Sequence, residues 1–419
     1  MDVARRRFYR ARRPITALAL AAVLLLVAGC GASAPRSTAQ SGGSLLQPRP
    51  VVPSQSSIDL CTSTAVPFPS AAVDGGRYVV EPDEWNASGE FCVRTSGATG
   101  FSVSRSGQLA RQAAAAPAAF PAISTVAGSG GLPIPVAALG DATSDWTTGQ
   151  QPNGSFDVAY DLWFSPTATS CQPASSAELM IWLKSTDDVR PLGTEVPDAV
   201  SLAGADYQVY ESSAGKPHSV ISYARDQATA SVRGLDLRTF VQDAVVRGFV
   251  PPRSYLCEVS AGFEVWSGGV GLTSDSFAFH PVVGLPSGAI TSEDGGGACL
   301  GSGQPSASAG GRRAGLVGCG TAATPVWTEH NDGTLQSSGL CLSAPAAGGG
   351  RTVTVAQCTG RPTEQWLPRA GGELVNRSTG TCLDSAPGGV VGGPVLDACD
   401  GSVDQAWRLP YNGSSSAAA

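Results

Sequence analysis

The sequence predicts an all-β protein in which a sandwich domain is followed by a threefold module, and three observations predict it. The chain carries 52 Gly and 30 Pro but only one long helical pattern. Short strand-like segments bounded by turn residues follow one another from residue 58 to residue 284. Beyond them a motif recurs with a period of about 40 residues. Cys299, Cys341 and Cys382 each precede a leucine, second cysteines follow at 319, 358 and 399, and Trp327, Trp366 and Trp407 close the units.

Residues 1–30 read as a signal peptide. Six arginines and one acid in the first thirteen residues precede an apolar run, 15–27, that is too short to span a membrane. Val27-Ala28-Gly29-Cys30 resembles a bacterial lipobox, whose cysteine is acylated and becomes the mature amino terminus. The alternative is ordinary cleavage with Cys30 left as a thiol; the even count of the remaining cysteines favours the lipid. Arg5-Arg6-Arg7-Phe8 also resembles a twin-arginine signal, which leaves the export route open. Residues 31–57, dominated by Ser, Gly, Pro, Ala and Gln, cannot bury a core and form a leash with a reach of roughly 30 Å. The expected location is extracellular, anchored to the outer face of the cell membrane through Cys30 or released.

A net charge of −7 and a pI near 5.1 supply no basic surface, so nucleic acid is excluded as a partner. Ten cysteines besides Cys30 suit five disulfides in an oxidising compartment. No Cys-x-x-Cys occurs, and His218, His280 and His330 lie far apart, so neither a metal nor a cofactor is expected. The protein is expected to act as a monomer.

In the first domain, strands are expected over 77–80, 91–94, 100–103, 132–139, 156–164, 177–183, 207–211, 219–223, 255–269 and 276–280, arranged as antiparallel sheets. Residues 235–248 form the one helix: Leu237, Phe240, Val241, Ala244 and Val245 recur at helical spacing, Asp236 is its N-cap, and Gly248 with Pro251 ends it. It is expected on the outside of a sheet.

Three strands carry the chemistry. In 177–183, alternation puts Glu178, Met180 and Trp182 on one face and Leu179, Ile181 and Leu183 on the other. In 262–272, Glu264 and Trp266 share a face opposite Phe263 and Val265, and in 156–164 Asp157, Asp161 and Trp163 oppose Phe156, Val158 and Tyr160. Either glutamate alone is more often an exposed strand carboxylate or half of an ion pair. Paired with indoles in matching patterns, they suit a groove in which rings stack on sugar CH groups and carboxylates reach the bond between sugars.

At these residues the chain resembles glycoside hydrolase family 12. Tyr160-Asp-Leu-Trp-Phe164, Glu178-Leu-Met-Ile-Trp182 with Pro191-Leu-Gly193, and Ala261-Gly-Phe-Glu-Val-Trp-Ser-Gly-Gly269 carry the resemblance, in that order, over residues 58–284. It implies a β-jelly roll whose concave sheet holds β-1,4-linked glucan and cleaves it internally with retention of configuration. It implies Glu178 as nucleophile, Glu264 as acid/base and Asp161 as support for the nucleophile. Trp85 matches a sugar-stacking tryptophan that in the family follows paired asparagines, where Asp83 and Glu84 stand here. Tyr207 matches a position more often tryptophan, and Asp157 a polar cleft position; Met180, Trp182 and Trp266 complete the expected substrate contacts. Cys61 and Cys92 resemble the family's amino-terminal disulfide, and Cys171 and Cys257 then pair by elimination. The competing reading is a non-catalytic polysaccharide-binding surface lipoprotein.

After a linker at 285–297, residues 298–410 resemble a ricin-B type β-trefoil, followed by a flexible tail, 411–419. Gln405-Ala-Trp407 matches the Gln-x-Trp signature; Glu364-Gln-Trp366 and Pro325-Val-Trp327 depart from it. The family binds sugar with an aspartate after Cys-Leu and an aromatic ring two residues before the next cysteine. Only Asp384 keeps the aspartate, and Asp397 stands in place of the ring.

Overall fold

The structure is a computed structural model that describes residues 57–411 except 64–65, 67, 87–88, 108–115, 151–153, 170, 172–176, 187–188, 198, 214–217, 306–310, 347, 370 and 386–392. The signal segment, Cys30, the leash up to residue 56 and the tail from residue 412 lie outside the described residues. No helix among the described residues is long and apolar enough to cross a membrane.

Two sheets build the first domain. The outer one runs in the order Asp59–Cys61, Phe91–Ser96, Gly100–Ser106, Thr273–His280, Thr143–Gly149, Ser231–Asp236. The inner one runs Thr194–Glu195, Ala205–Ser212, Val220–Arg225, Ala177–Ser185, Gly154–Ser165, Tyr255–Gly262, Ala122–Val126, Tyr78–Glu81, Ala71–Val73. One pairing departs from the antiparallel expectation: Ala177–Ser185 runs parallel to Val220–Arg225. The chain between them first builds the edge strands 194–212 and so re-enters the sheet in the original direction. The expected strand 132–139 shrinks to Ile134–Pro135, because Pro133 and Pro135 have no N–H to give a ladder.

Alternation along Gly154–Ser165 divides core from groove. Tyr160, Leu162 and Phe164 enter the main core with Leu179, Ile181 and Leu183. The Tyr160 ring meets Trp146 of the outer sheet edge-on at 5.1 Å, and its hydroxyl donates to Ser144 Oγ at 3.1 Å. Trp146 Nε1 in turn donates to Ser274 Oγ at 3.0 Å, so both polar tips are satisfied inside an apolar layer. Two disulfides, Cys61–Cys92 and Cys171–Cys257, close this domain as expected.

The helix spans Leu237–Val246, and Asp236 caps it by accepting from Arg238 N at 3.0 Å. Phe240 packs on Tyr207 and Tyr223 of the inner sheet. Its other side docks the second domain. Arg238 Nη1 lies 3.2 Å from Asp141 Oδ1 and 3.1 Å from Glu329 Oε2, and Nη2 donates to Glu329 O at 3.0 Å. Gln242 Nε2 donates to Glu329 Oε1 at 3.0 Å, while Asn331 Nδ2 donates to the carbonyls of Val136 and Leu139. Arg238, Asp141 and Glu329 are all buried.

In the second domain the threefold pattern appears as three equivalent locks. Trp327, Trp366 and Trp407 each donate through Nε1 to a leucine carbonyl, that of Leu300, Leu342 and Leu383, at 2.8, 3.0 and 2.8 Å. Each unit closes its own disulfide: Cys299–Cys319, Cys341–Cys358 and Cys382–Cys399. The signature Gln405 is a loop clamp, giving Nε2 to Ala398 O and taking Asp400 N on Oε1. Glu364 does the same work by acceptance alone, from Thr359 N and Gly360 N, which explains the tolerated departure in the second unit.

Two outcomes follow for the interface. Truncation in Arg238→Ala leaves two carboxylates buried without their guanidinium, and chemical denaturation should show a loss of roughly 3–5 kcal/mol and a transition that splits in two; adding Asp141→Asn and Glu329→Gln should restore part of it. Burial, with the Asp141 carboxylate close by, raises Asp236 to about 7 against the pull of Arg238. The folded state therefore holds that proton to higher pH than the unfolded chain, and its contribution is full below about pH 3.9 and lost as pH rises towards 7. Melting curves across that window should show Asp236→Asn, which keeps the cap, gaining on wild type as pH increases.

Candidate active site

On the face of the inner sheet opposite the core, side chains from neighbouring strands line up in rows. Glu178, Trp163 and Glu258 form one row across three strands. Ser222, Met180, Asp161, Ser260 and Ser124 form the next. Ala224, Trp182, Ala159, Gly262 and Ala122 form the third. A side chain at Gly262 would strike Pro121 O at 2.4 Å, so the strand must be bare there to lie against its neighbour.

The expected strand 255–269 divides into Tyr255–Gly262 and Val265–Gly268, and Glu264 sits at the break. Phe263 turns into the core beside Phe101, which sends Glu264 to the groove side. Its backbone is held from both directions: Glu264 N donates to Asp157 Oδ1 and Asp157 N donates to Glu264 O, each at 3.0 Å. Asp157, expected to bind sugar, thus uses one oxygen to anchor the Glu264 segment. Asp161 Oδ2 accepts from Trp163 Nε1 at 2.9 Å, which fixes the carboxylate next to the Glu178 row.

Glu178 stands level with Trp163 and Glu264 level with Asp157, with Gly154–Ser165 running between their strands. The two glutamates lie on one face of one sheet, on either side of the strand that carries Asp161.

Trp182 and Trp266 meet edge-on at 6.4 Å and, with Met180, Ala118, Ala159 and Val189, form an apolar floor distinct from the main core. Asp83 and Trp85 lie beside it: Trp85 N donates to Ala118 O, Phe120 N to Asp83 O, and Ala118 N to Val265 O. The structure therefore sets Glu178, Asp161, Glu264, Asp157, Met180, Trp182 and Trp266 on one side of the sheet, with the backbone of Asp83 and Trp85 bonded to the Ala118–Phe120 segment beside it. Tyr207 does not join them. It is fully buried with its ring 5.0 Å from Phe240, because residues 207 and 209 have the parity of the core-facing Tyr223. Tyr210, of opposite parity and level with Ser222, is the aromatic residue of that strand on the groove face. Its alternation relative to Tyr207 was the signal available in the sequence. Glu258, Ser260 and Ser222 also lie on this face, the first two by the even-numbered parity of Glu264.

Asp384 lies on the second domain, buried, with Oδ2 accepting from Gln405 Nε2 at 3.2 Å. Asp397, in place of a ring, pairs with Arg351 of the preceding unit.

The sequence profile of glycosyl hydrolase family 12 matches residues 76–280, and that of the ricin-type β-trefoil lectin domain matches residues 286–413. A probable cellulase Cel12b of Mycobacterium tuberculosis is 26% identical over 147 residues, covering 35% of this chain and 95% of that protein. Endoglucanase S of Pectobacterium parmentieri is 28% identical over 144 residues, 33% of this chain, and the chain spans only 53% of its length. Among solved structures, the endoglucanase cel12A from Rhodothermus marinus is similar with a TM-score of 0.50 and 35% identity, over 54% of this chain and 99% of that one.

Proposed function

From a chain whose residues 76–280 belong to glycosyl hydrolase family 12 and whose residues 286–413 belong to the ricin-type β-trefoil lectins, we propose an exported, endo-acting, retaining hydrolase of β-1,4-linked glucans. Cellulose, mixed-linkage glucan and xyloglucan are its candidate substrates, and Cys30 its lipid anchor at the cell surface. The observation that supports the reading is that Glu178, Asp161 and Glu264 lie on one face of one sheet, with Asp161 oriented by the Trp163 indole and the Glu264 backbone anchored by Asp157.

In this reading Glu178 attacks the anomeric carbon while Glu264 gives its proton to the departing glycosidic oxygen, a displacement that needs carboxyl groups roughly 5–5.5 Å apart. The sugar is then an ester of Glu178, which carries no charge in that state. Glu264, now a carboxylate, takes a proton from water as the water attacks the same carbon from the face the leaving group vacated. Two inversions restore the original configuration. Asp161, oriented by Trp163, supports Glu178, and Asp157 positions Glu264 through its backbone. Trp85, Trp182 and Trp266 offer rings to pyranose faces, with Asp83 beside them for hydroxyls.

Wild-type protein should release reducing ends from barley glucan, carboxymethyl cellulose or xyloglucan, and Glu178→Ala or Glu264→Ala should lower kcat by at least about a thousandfold. Proton NMR of fresh products should show the β-anomer first. An α-anomer first would refute retention, and a wild type as inert as Glu178→Ala that still binds these polymers would make the protein a glucan-binding one.

Sugar contact by the second domain is assigned to Asp384. Because Asp397 is engaged by Arg351 and offers no ring, that contact is weak. Retention of the full chain on immobilised galactose or xylan, measured with cellohexaose saturating the groove, should be slight and should vanish in Asp384→Ala.

A further inference from the structure

We propose that Glu258 is a sugar-binding carboxylate of the groove that makes the enzyme favour longer glucan chains, an inference that rests on the catalytic reading of Glu178. Glu258 is the counterpart of Glu178 on the far side of the central strand, since both pair with Trp163 in one row that runs across the sheet. Two strand spacings separate them, roughly 9.5 Å. That is about the span of two linked pyranoses, so a chain whose reacting sugar lies at Glu178 and which follows the row brings another sugar to Glu258.

The carboxylate is prepared for such a ligand. Ser260 Oγ donates to Glu258 Oε1 at 2.7 Å, and Ser124 Oγ lies 2.8 Å from Ser260 Oγ. The two serines come from neighbouring strands, with their Cα atoms paired in the Asp161 row, so the hydroxyl relay is set by backbone register rather than by a mobile loop. A carboxylate held in one orientation accepts the vicinal hydroxyl pair of a β-linked glucose, and its charge strengthens both bonds. Ser260 and Ser124 are positioning residues in this scheme; Glu258 makes the contact.

The test uses purified full-length protein with Glu258→Gln, Glu258→Ala and Ser260→Ala, each checked for a wild-type melting temperature. For cellohexaose, KM should rise about ten- to a hundredfold in the Glu258 variants and less in Ser260→Ala, with kcat within about threefold of wild type. For an aryl β-glucoside, which carries one sugar, kcat/KM should not change. Equal effects on both substrates, or none on either, would overturn the proposal. So would a loss of kcat on all substrates, which would make Glu258 part of the reacting machinery. If Glu258 variants do not fold, Ser260→Ala decides by the same length dependence, because it removes no charge. Calorimetric titration with cellohexaose separates the two readings: binding by an inert wild type that weakens in Glu258→Gln supports this site while refuting the enzyme.

Discussion

The pleat of one strand, Gly154–Ser165, is the constraint on which the rest of the first domain depends. Its odd-numbered side chains Asp157, Asp161 and Trp163 face the groove, while Tyr160, Leu162 and Phe164 are pinned in the core. A slip of one residue would exchange the two sets, burying carboxylates among Trp146, Phe263 and Phe277. The edge-on contact of Tyr160 with Trp146 and the bond to Ser144 make that slip costly, because a buried aromatic contributes roughly 1.5–3 kcal/mol and its hydroxyl would lose its partner. Through this strand the register of both glutamate strands is set at once, Ala177–Ser185 on one side and Tyr255–Gly262 on the other.

Carboxylates crowded on one face repel one another, and the fold answers with local donors. Asp161 takes the Trp163 indole N–H, Asp157 takes the Glu264 amide and Glu258 takes the Ser260 hydroxyl. Each donor sits on the same strand as the acid or on the one beside it, so the groove's order follows from backbone pairing and survives changes in the loops. Such a frame is the rigid support that catalytic geometry needs.

A different logic joins the two domains. The Arg238 guanidinium bridges Asp141 of the sandwich and Glu329 of the threefold module, with all three buried. A buried ion pair of this kind adds little net stability over an apolar contact, yet it is costly to leave half-made. Such a pair discriminates against docking geometries that leave one of these charges without its partner. The helix that carries Arg238 also packs Phe240 into the core, so the bracket and the sandwich share one element.

Alternation was legible in the sequence, and with it the all-β class, the parity of Glu178, Met180 and Trp182, the helix with its Asp236 cap, and the period of the threefold module. These depend on neighbours along the chain, which the sequence contains directly. Tyr207 matches a family position that is more often tryptophan, yet its parity is that of the core-facing Tyr223, while Glu258 shares its face with Trp163 across the sheet. The position of Gly154–Ser165 between the two glutamate strands, the parallel pairing of Ala177–Ser185 and the docking of the helix were decided by tertiary structure alone. They depend on which strands meet across the sheet and which buried charges find partners, and residues as distant as Arg238 and Glu329 carry no sign of each other until the chain has folded.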